Sequence, residues 1–216
     1  MNENKKIKRI QVPNFLIKDA EFPHESFYLY VVLKMSCVYN VINIKTSTLM
    51  DKLKWSKIGT LKKHLLILQE KELIDFGFEA IPKHVPMEIT INSFNESFTQ
   101  VDVTTINKVC ELAEEVTMIR YTKNKTKIEV VVDLKEMALR LFYYYEHQYN
   151  EEFDKAFPSF RTTNEDTGIG TAHIKAINDL FDYNGTVEIQ NGKWYKKDGQ
   201  MLKTCNNYKP VCQRKK

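Results

Sequence analysis

The 216-residue chain holds no apolar run long enough to cross a bilayer, so a helical membrane protein is excluded. Its first residues, Met1-Asn2-Glu3-Asn4-Lys5-Lys6, are basic, but no apolar stretch follows them, and a secretory signal is not expected. Cysteine is sparse. Cys37, Cys110, Cys205 and Cys212 lack the C-x-x-C spacing of zinc and redox motifs. They read as reduced thiols of a cytoplasmic protein, Cys37 and Cys110 on apolar helical faces, with a Cys205–Cys212 bridge as the lesser alternative. There is no G-x-x-x-x-G-K-[ST], which argues against an ATP-driven helicase or loader. His24, His64, His84, His147 and His173 form no H-x-H or H-E-x-x-H cluster, so a metal-dependent nickase finds no ligand set. Gly168-Ile169-Gly170 has no lysine in register and no clear strand before it, and reads as a helix cap or turn. Tyr143-Tyr144-Tyr145 could offer a tyrosine nucleophile, but on a helix the three point in different directions and read as packing. The expectation is a protein without catalytic residues, metal or cofactor.

What is present is an ordinary globular composition, 43% hydrophobic and 28% charged, with uneven cation placement. Lysines 45, 52, 54, 57, 62, 63 and 71 face only Asp51 and Glu70, a local balance of +5. Lys203, Lys209, Arg214, Lys215 and Lys216 form a second cluster of +5 without acids, and residues 5–9 add four positive charges. Such clusters suit a polyanion, although a charge run alone also describes a solvated face.

Periodicity supplies the architecture. Val12 to Ile17, interrupted by Pro13, suits an extended edge piece. Residues 24–38 read as a helix from Phe27, Tyr30, Val31 and Met35, and residues 41–44 as a strand. A short helix over 48–53 is expected with Ser47 as its cap, then a turn at Lys54-Trp55-Ser56. A longer helix over 57–71 follows, with Ser56 as cap and Leu61, Leu65 and Leu68 as its buried stripe. Leu73-Ile74 and residues 87–91 can pair around the stiff tip Pro82-Lys83-His84-Val85-Pro86. Helix, strand, short helix, turn, helix and two-stranded wing is the order of a winged helix-turn-helix. Trp55 reads as packing under the turn, with phosphate or base contact as the alternative.

The polar stretch 92–102 reads as a domain boundary, dividing residues 1–95 from a second α+β domain over 103–202, with a basic tail over 203–216. In the second domain we expect a helix over 105–116 and a hairpin of residues 117–121 and 126–132 around Lys123-Asn124-Lys125. A strong helix over 133–149 capped by Asp133, a looser helix near 151–157 and a polar loop over 160–170 follow. A helix over 171–183, stopped by Asn184-Gly185, precedes a hairpin turning at Asn191-Gly192. Helix, turn, helix, hairpin thus recurs, and the C-terminal half reads as a weaker second winged helix. The fold class is helix-rich α+β.

Residues 10–91 resemble the N-terminal domain of plasmid replication initiators of the RepA-N type, and the related DnaD-like and phage replication proteins of Gram-positive bacteria. The resemblance rests on Val12-Pro13-Asn14-Phe15-Leu16 before a Tyr-rich helix, on the run from Ile44 to Leu53, and on residues 56–74. It implies a domain that binds repeated double-stranded DNA sites at a replication origin, often as a dimer, with host replication proteins as further partners. A transcriptional regulator or a protein-interaction module shares the same pattern. Expected DNA contacts are Lys45, Ser47, Lys54, Ser56, Lys57, Gly59, Thr60, Lys62, Lys63 and the wing-tip Lys83. His173, Lys175, Lys193 and Lys196 are the corresponding candidates in the second half.

Overall fold

The period-two burial of Ile10 and Val12 makes a strand of Arg9–Pro13 (β1) in the computed structural model, which describes residues 8–78, 81–82, 85–121, 124–197 and 200–211. Sequence reading leaves the following residues extended, but Asn14–Lys18 forms one short helix (α1), with Leu16 and Ile17 buried. Helix α2 (His24–Ser36) buries Ser26 through Leu33. Strand β2 (Val41–Ile44), helices α3 (Thr46–Leu53) and α4 (Ile58–Glu70), and strands β3 (Ile74–Asp75) and β4 (Met87–Ile91) complete the first half. The sheet order is β2-β4-β3, antiparallel, with Ile42 opposite Ile89 and Ile74 opposite Ile91. Its inner face is apolar, from Ile42, Ile44, Met87, Ile89 and Ile91, while Asn43, Glu88 and Thr90 face outward.

Neither expected serine cap is used. Helix α3 starts one residue before Ser47, with Lys45 at the cap, and Ser47 lies exposed in its first turn. Lys57, not Ser56, occupies the cap of α4. Neither helix start has a side-chain capping bond; Thr46 turns instead to the Pro82 carbonyl, 2.6 Å away. Lys54 takes the left-handed conformation, φ 56°, and closes α3 by donating its backbone N–H to the Met50 and Asp51 carbonyls.

The stretch expected as a polar boundary contains strand β5 (Phe98–Asp102), which pairs antiparallel with β1 from Arg9 opposite Asp102 to Pro13 opposite Phe98. Asp102 then caps α5 (Val103–Leu112), its carboxylate accepting from the Thr105 amide at 2.8 Å and the Thr105 hydroxyl at 2.7 Å. The hairpin of β6 (Val116–Tyr121) and β7 (Lys127–Val132) follows, then α6 (Lys135–Gln148). Leu134 is its cap residue, while Asp133 accepts from the Lys135 amide.

The chain beyond α6 departs furthest from the sequence reading. Residues 151–157 are not helical; an antiparallel bridge joins Asn150 to Lys155, and another joins Ala156 to Tyr208. The expected polar loop contains α7 (Phe160–Thr167). Its buried positions are Thr163 and Thr167, whose hydroxyls donate to carbonyls four residues back, Ser159 at 2.8 Å and Thr163 at 2.6 Å. Threonine satisfied in this way can line a core, so the helix carries no apolar stripe to announce it. Gly168, at φ 71°, caps it, and a Cβ there would stand 2.4 Å from the Ala20 carbonyl oxygen. Helix α8 (Thr171–Tyr183) matches its expected span.

Asn191-Gly192 is not the hairpin turn. Strand β8 (Val187–Gln190) pairs with β11 (Asn207–Pro210), while β9 (Trp194–Lys197) pairs with β10 (Gln200–Lys203). Gln190 opposes Asn207 and Trp194 opposes Lys203, so both pairs belong to one register whose connection is residues 198–199, outside the described residues. Gly192 serves close approach instead: a Cβ there would collide with the Thr204 carbonyl oxygen at 1.8 Å. The segment expected as a basic tail supplies β11, where Tyr208 is buried and stacks on Tyr145 at 4.3 Å. The first half runs helix, strand, helix, helix and two strands (α2, β2, α3, α4, β3, β4), and the second runs helix, bridge, helix, helix and two strand pairs in one register (α6, Ala156, α7, α8, β8–β11). In each, the last strand lies central, as β2-β4-β3 and as Ala156-β11-β8.

The buried residues of both halves form one cluster, and α6 runs through its middle, packing against α1, α2, α5, α7, α8, β5 and β11. Arg140 on α6 is fully buried. Its guanidinium donates to the carbonyls of Leu16 (3.1 Å), Ile17 (3.3 Å), Asp19 and Phe22 (2.6 Å), satisfying the C-terminal end of α1. Burial lowers its pKa to about 10. The three consecutive tyrosines are also fully buried. Tyr143 donates to the Ile10 carbonyl (3.0 Å), Tyr144 to Asp166 (2.8 Å) and Tyr145 to Asn178 (2.9 Å), so one helical turn holds β1, α7 and α8. Desolvation pushes all three phenols upward.

Candidate nucleic-acid interface

Helix α4 divides sharply into two sides. Leu61, His64, Leu65 and Leu68 are buried, and Lys57, Gly59, Lys62, Lys63 and Leu66 are exposed. The three leucines are legible as a stripe; His64 is not, since a histidine at that position reads equally as surface. It is buried because Ser26 on α2 bonds its Nδ1 at 2.8 Å and the Trp55 ring lies 5.3 Å away. Burial lowers its pKa, and the ring bridges α4 and α2 through the Ser26 bond. Trp55 is half-buried against the core.

Lys57 and Lys63 make no salt bridge among the described residues. Thr60 is half-buried, while Lys45, Ser47 and Ser56 are exposed around the α3–α4 turn. Lys83 lies outside the described residues. Lys54 is the exception in this group. Its ammonium is held by the Glu114 carboxylate, which raises its pKa, with Asp133 and Glu111 adding to the negative surroundings. Lys54 is thus paired with an acid 60 residues away, a pairing that no local pattern reveals.

The second-half candidates are less coherent. On α8, His173 is half-buried and Lys175 exposed, but the same exposed side carries Asp179, Asp182 and Tyr183. Lys175, Asp179 and Asp182 line a cleft of about 420 Å³ between α8 and the β8–β11 pair. Lys193 is exposed, its backbone fixed by Thr204 through bonds of 2.8 and 2.9 Å. Lys196 lies in β9 opposite Met201. Lys209, counted with the basic tail, pairs with Asp154.

Cys37 closes α2, its thiol donating to the Lys34 carbonyl at 3.1 Å. Cys110 is buried, which pushes its thiol up to about 12. Cys205 is exposed, and Cys212 lies outside the described residues, as does any pairing between them. Among the described residues, no three His, Cys, Asp or Glu side chains converge as metal ligands, and no helix is long and apolar enough to cross a membrane. No family model, curated protein or solved structure matches this chain.

Proposed function

We propose that this protein is a sequence-reading double-stranded DNA-binding protein of the replication-initiator kind, binding repeated origin sites without cutting them. In this reading residues 24–91 form a winged helix-turn-helix with α4 as recognition helix, and residues 135–210 form a second unit of the same type. The observation that carries it is α4 itself, which docks through Leu61, His64, Leu65 and Leu68 and turns Lys57, Lys62, Lys63 and Gly59 outward at its leading half. The antiparallel sheet order β2-β4-β3, with β3 and β4 following α4 in the chain, supports it further.

Lysines at phosphates release counterions, so the reading is tested by binding to duplex DNA from 50 to 200 mM salt. The triple variant Lys57→Ala, Lys62→Ala, Lys63→Ala should bind every sequence more weakly, with the salt slope reduced by about one unit per lost contact. A folded triple variant with unchanged affinity refutes α4 as the DNA-facing element. Selection of bound duplexes from a random pool then separates roles: iterated copies of the motif near the coding sequence support initiation, and a single operator supports transcription.

The α8 surface favours a different role for the second half. Two aspartates against one lysine disfavour a phosphate backbone, and the exposed Tyr183 suits a protein partner, such as a host replication protein or a second copy.

A further inference from the structure

The β6–β7 hairpin is a ribbon of six-residue strands that carries exposed cations and is tied near its base to the turn before α4 by the Lys54–Glu114 pair. Along the hairpin, Val116 and Met118 are buried at the base, whereas Ile119, Arg120, Lys125, Lys127 and Ile128 are exposed. The outer part therefore stands away from the core. Arg120, Lys125 and Lys127 make no salt bridge among the described residues. Arg120 opposes Ile128, and Lys127 opposes Tyr121, one position along the ladder. Because side chains alternate faces, Arg120 and Lys127 lie on opposite faces of the ribbon. Exposed Glu129 is the acid on the strand that carries Lys127.

The base of the hairpin is clamped to the turn that leads into α4. Glu114, two residues before β6, holds the Lys54 ammonium. Glu136, in the first turn of α6 after β7, lies close to the Trp55 side chain. Acids thus gather at the base and cations at the tip. Six-residue strands reach about 20 Å, long enough for the exposed cations to stand clear of the anchored base.

We propose that this hairpin is a second DNA-contacting element, an arm whose basic tip (Arg120, Lys125 and Lys127) binds the phosphate backbone flanking the segment occupied by α4. The assignment rests on the DNA-binding reading above. It specifies phosphates rather than base edges: cations on both faces of a narrow ribbon suit the two rails of a groove, and their contacts carry no sequence information.

The test uses the full chain and a mixed-sequence 30-bp duplex, followed by fluorescence anisotropy from 50 to 200 mM NaCl. The variant Arg120→Gln, Lys125→Gln, Lys127→Gln alters exposed positions only. We expect its affinity to fall about 10- to 100-fold at 100 mM salt, with the slope reduced by about two to three units. The effect should be the same for any duplex sequence and should add to that of the α4 triple variant. An unchanged slope in the hairpin variant, with binding still weakened by the α4 variant, overturns the arm and leaves the DNA reading standing. Absence of binding by the unmodified protein overturns both. A hairpin variant that binds normally but sediments as a smaller species identifies the hairpin as a protein interface and overturns the proposal.

Discussion

Replacing Arg140 by leucine should be among the most damaging single changes in this chain. The substitution removes donors that serve four carbonyls, those of Leu16, Ile17, Asp19 and Phe22. A buried acceptor left without a partner costs about 1–3 kcal/mol. Part of that cost is recoverable, because residues 14–23 can open toward water. Removing the guanidinium also relieves the desolvation that lowers its pKa to about 10. We therefore expect a net loss of about 3–5 kcal/mol, the range for breaking a buried charged network from one side. With a urea m-value near 2.5 kcal/mol/M, the unfolding midpoint should fall by roughly 1–2 M. Hydrogen exchange locates the damage: amides of α1 and of residues 19–23 should lose protection before those of α4 or α8. Arg140→Lys keeps a charge but cannot reach four carbonyls, and should recover less than half of the loss. A midpoint within 0.2 M of the unmodified protein (a difference of roughly 0.5 kcal/mol), with exchange over residues 14–23 unchanged, would refute this account of how the halves are joined.

Two further perturbations follow from the same region. Burial and the neighbouring Arg140 push the His24 pKa down to about 4 from 6.5, so between those values the unfolded chain binds a proton that the folded chain does not. Stability should therefore fall as pH drops from 6.5 to 4, by up to about 3 kcal/mol from this residue, and His24→Gln should flatten that part of a urea-midpoint-versus-pH curve; an equally steep curve in the variant refutes the assignment. Gly168→Ala meets both a positive φ and the Ala20 carbonyl oxygen at 2.4 Å; a loss of about 1–3 kcal/mol is expected, read as a lowered Tm, whereas an unchanged Tm would show that the α7–α8 junction yields freely.

Much of the first half is legible in sequence because its signals are local. Leu61, Leu65 and Leu68 recur at helical spacing, and Ile42 with Ile44 alternate. The failures arise where polar residues do apolar work. Helix α7 is hidden because Thr163 and Thr167 satisfy their own hydroxyls and then pack inward. The Asn191-Gly192 dipeptide carries the composition of a tight turn, yet Gly192 is needed for the Thr204 backbone to pass. Of the candidate interface, the exposed lysines of α4 are readable from their spacing against the leucine stripe. The pairing of Lys54 is not, because Glu114 reaches it only through the folded chain.

Helix α6 has a consequence for synthesis. The carbonyl of Leu16 waits for a donor 124 residues downstream, and that of Ile10 for a hydroxyl 133 residues downstream. At about 5–20 residues per second, the ribosome takes on the order of 10 s to supply that helix. During that interval β1 and α1 have neither Tyr143 nor Arg140, so the N-terminal half emerges first but completes its structure only when the middle of the second half arrives.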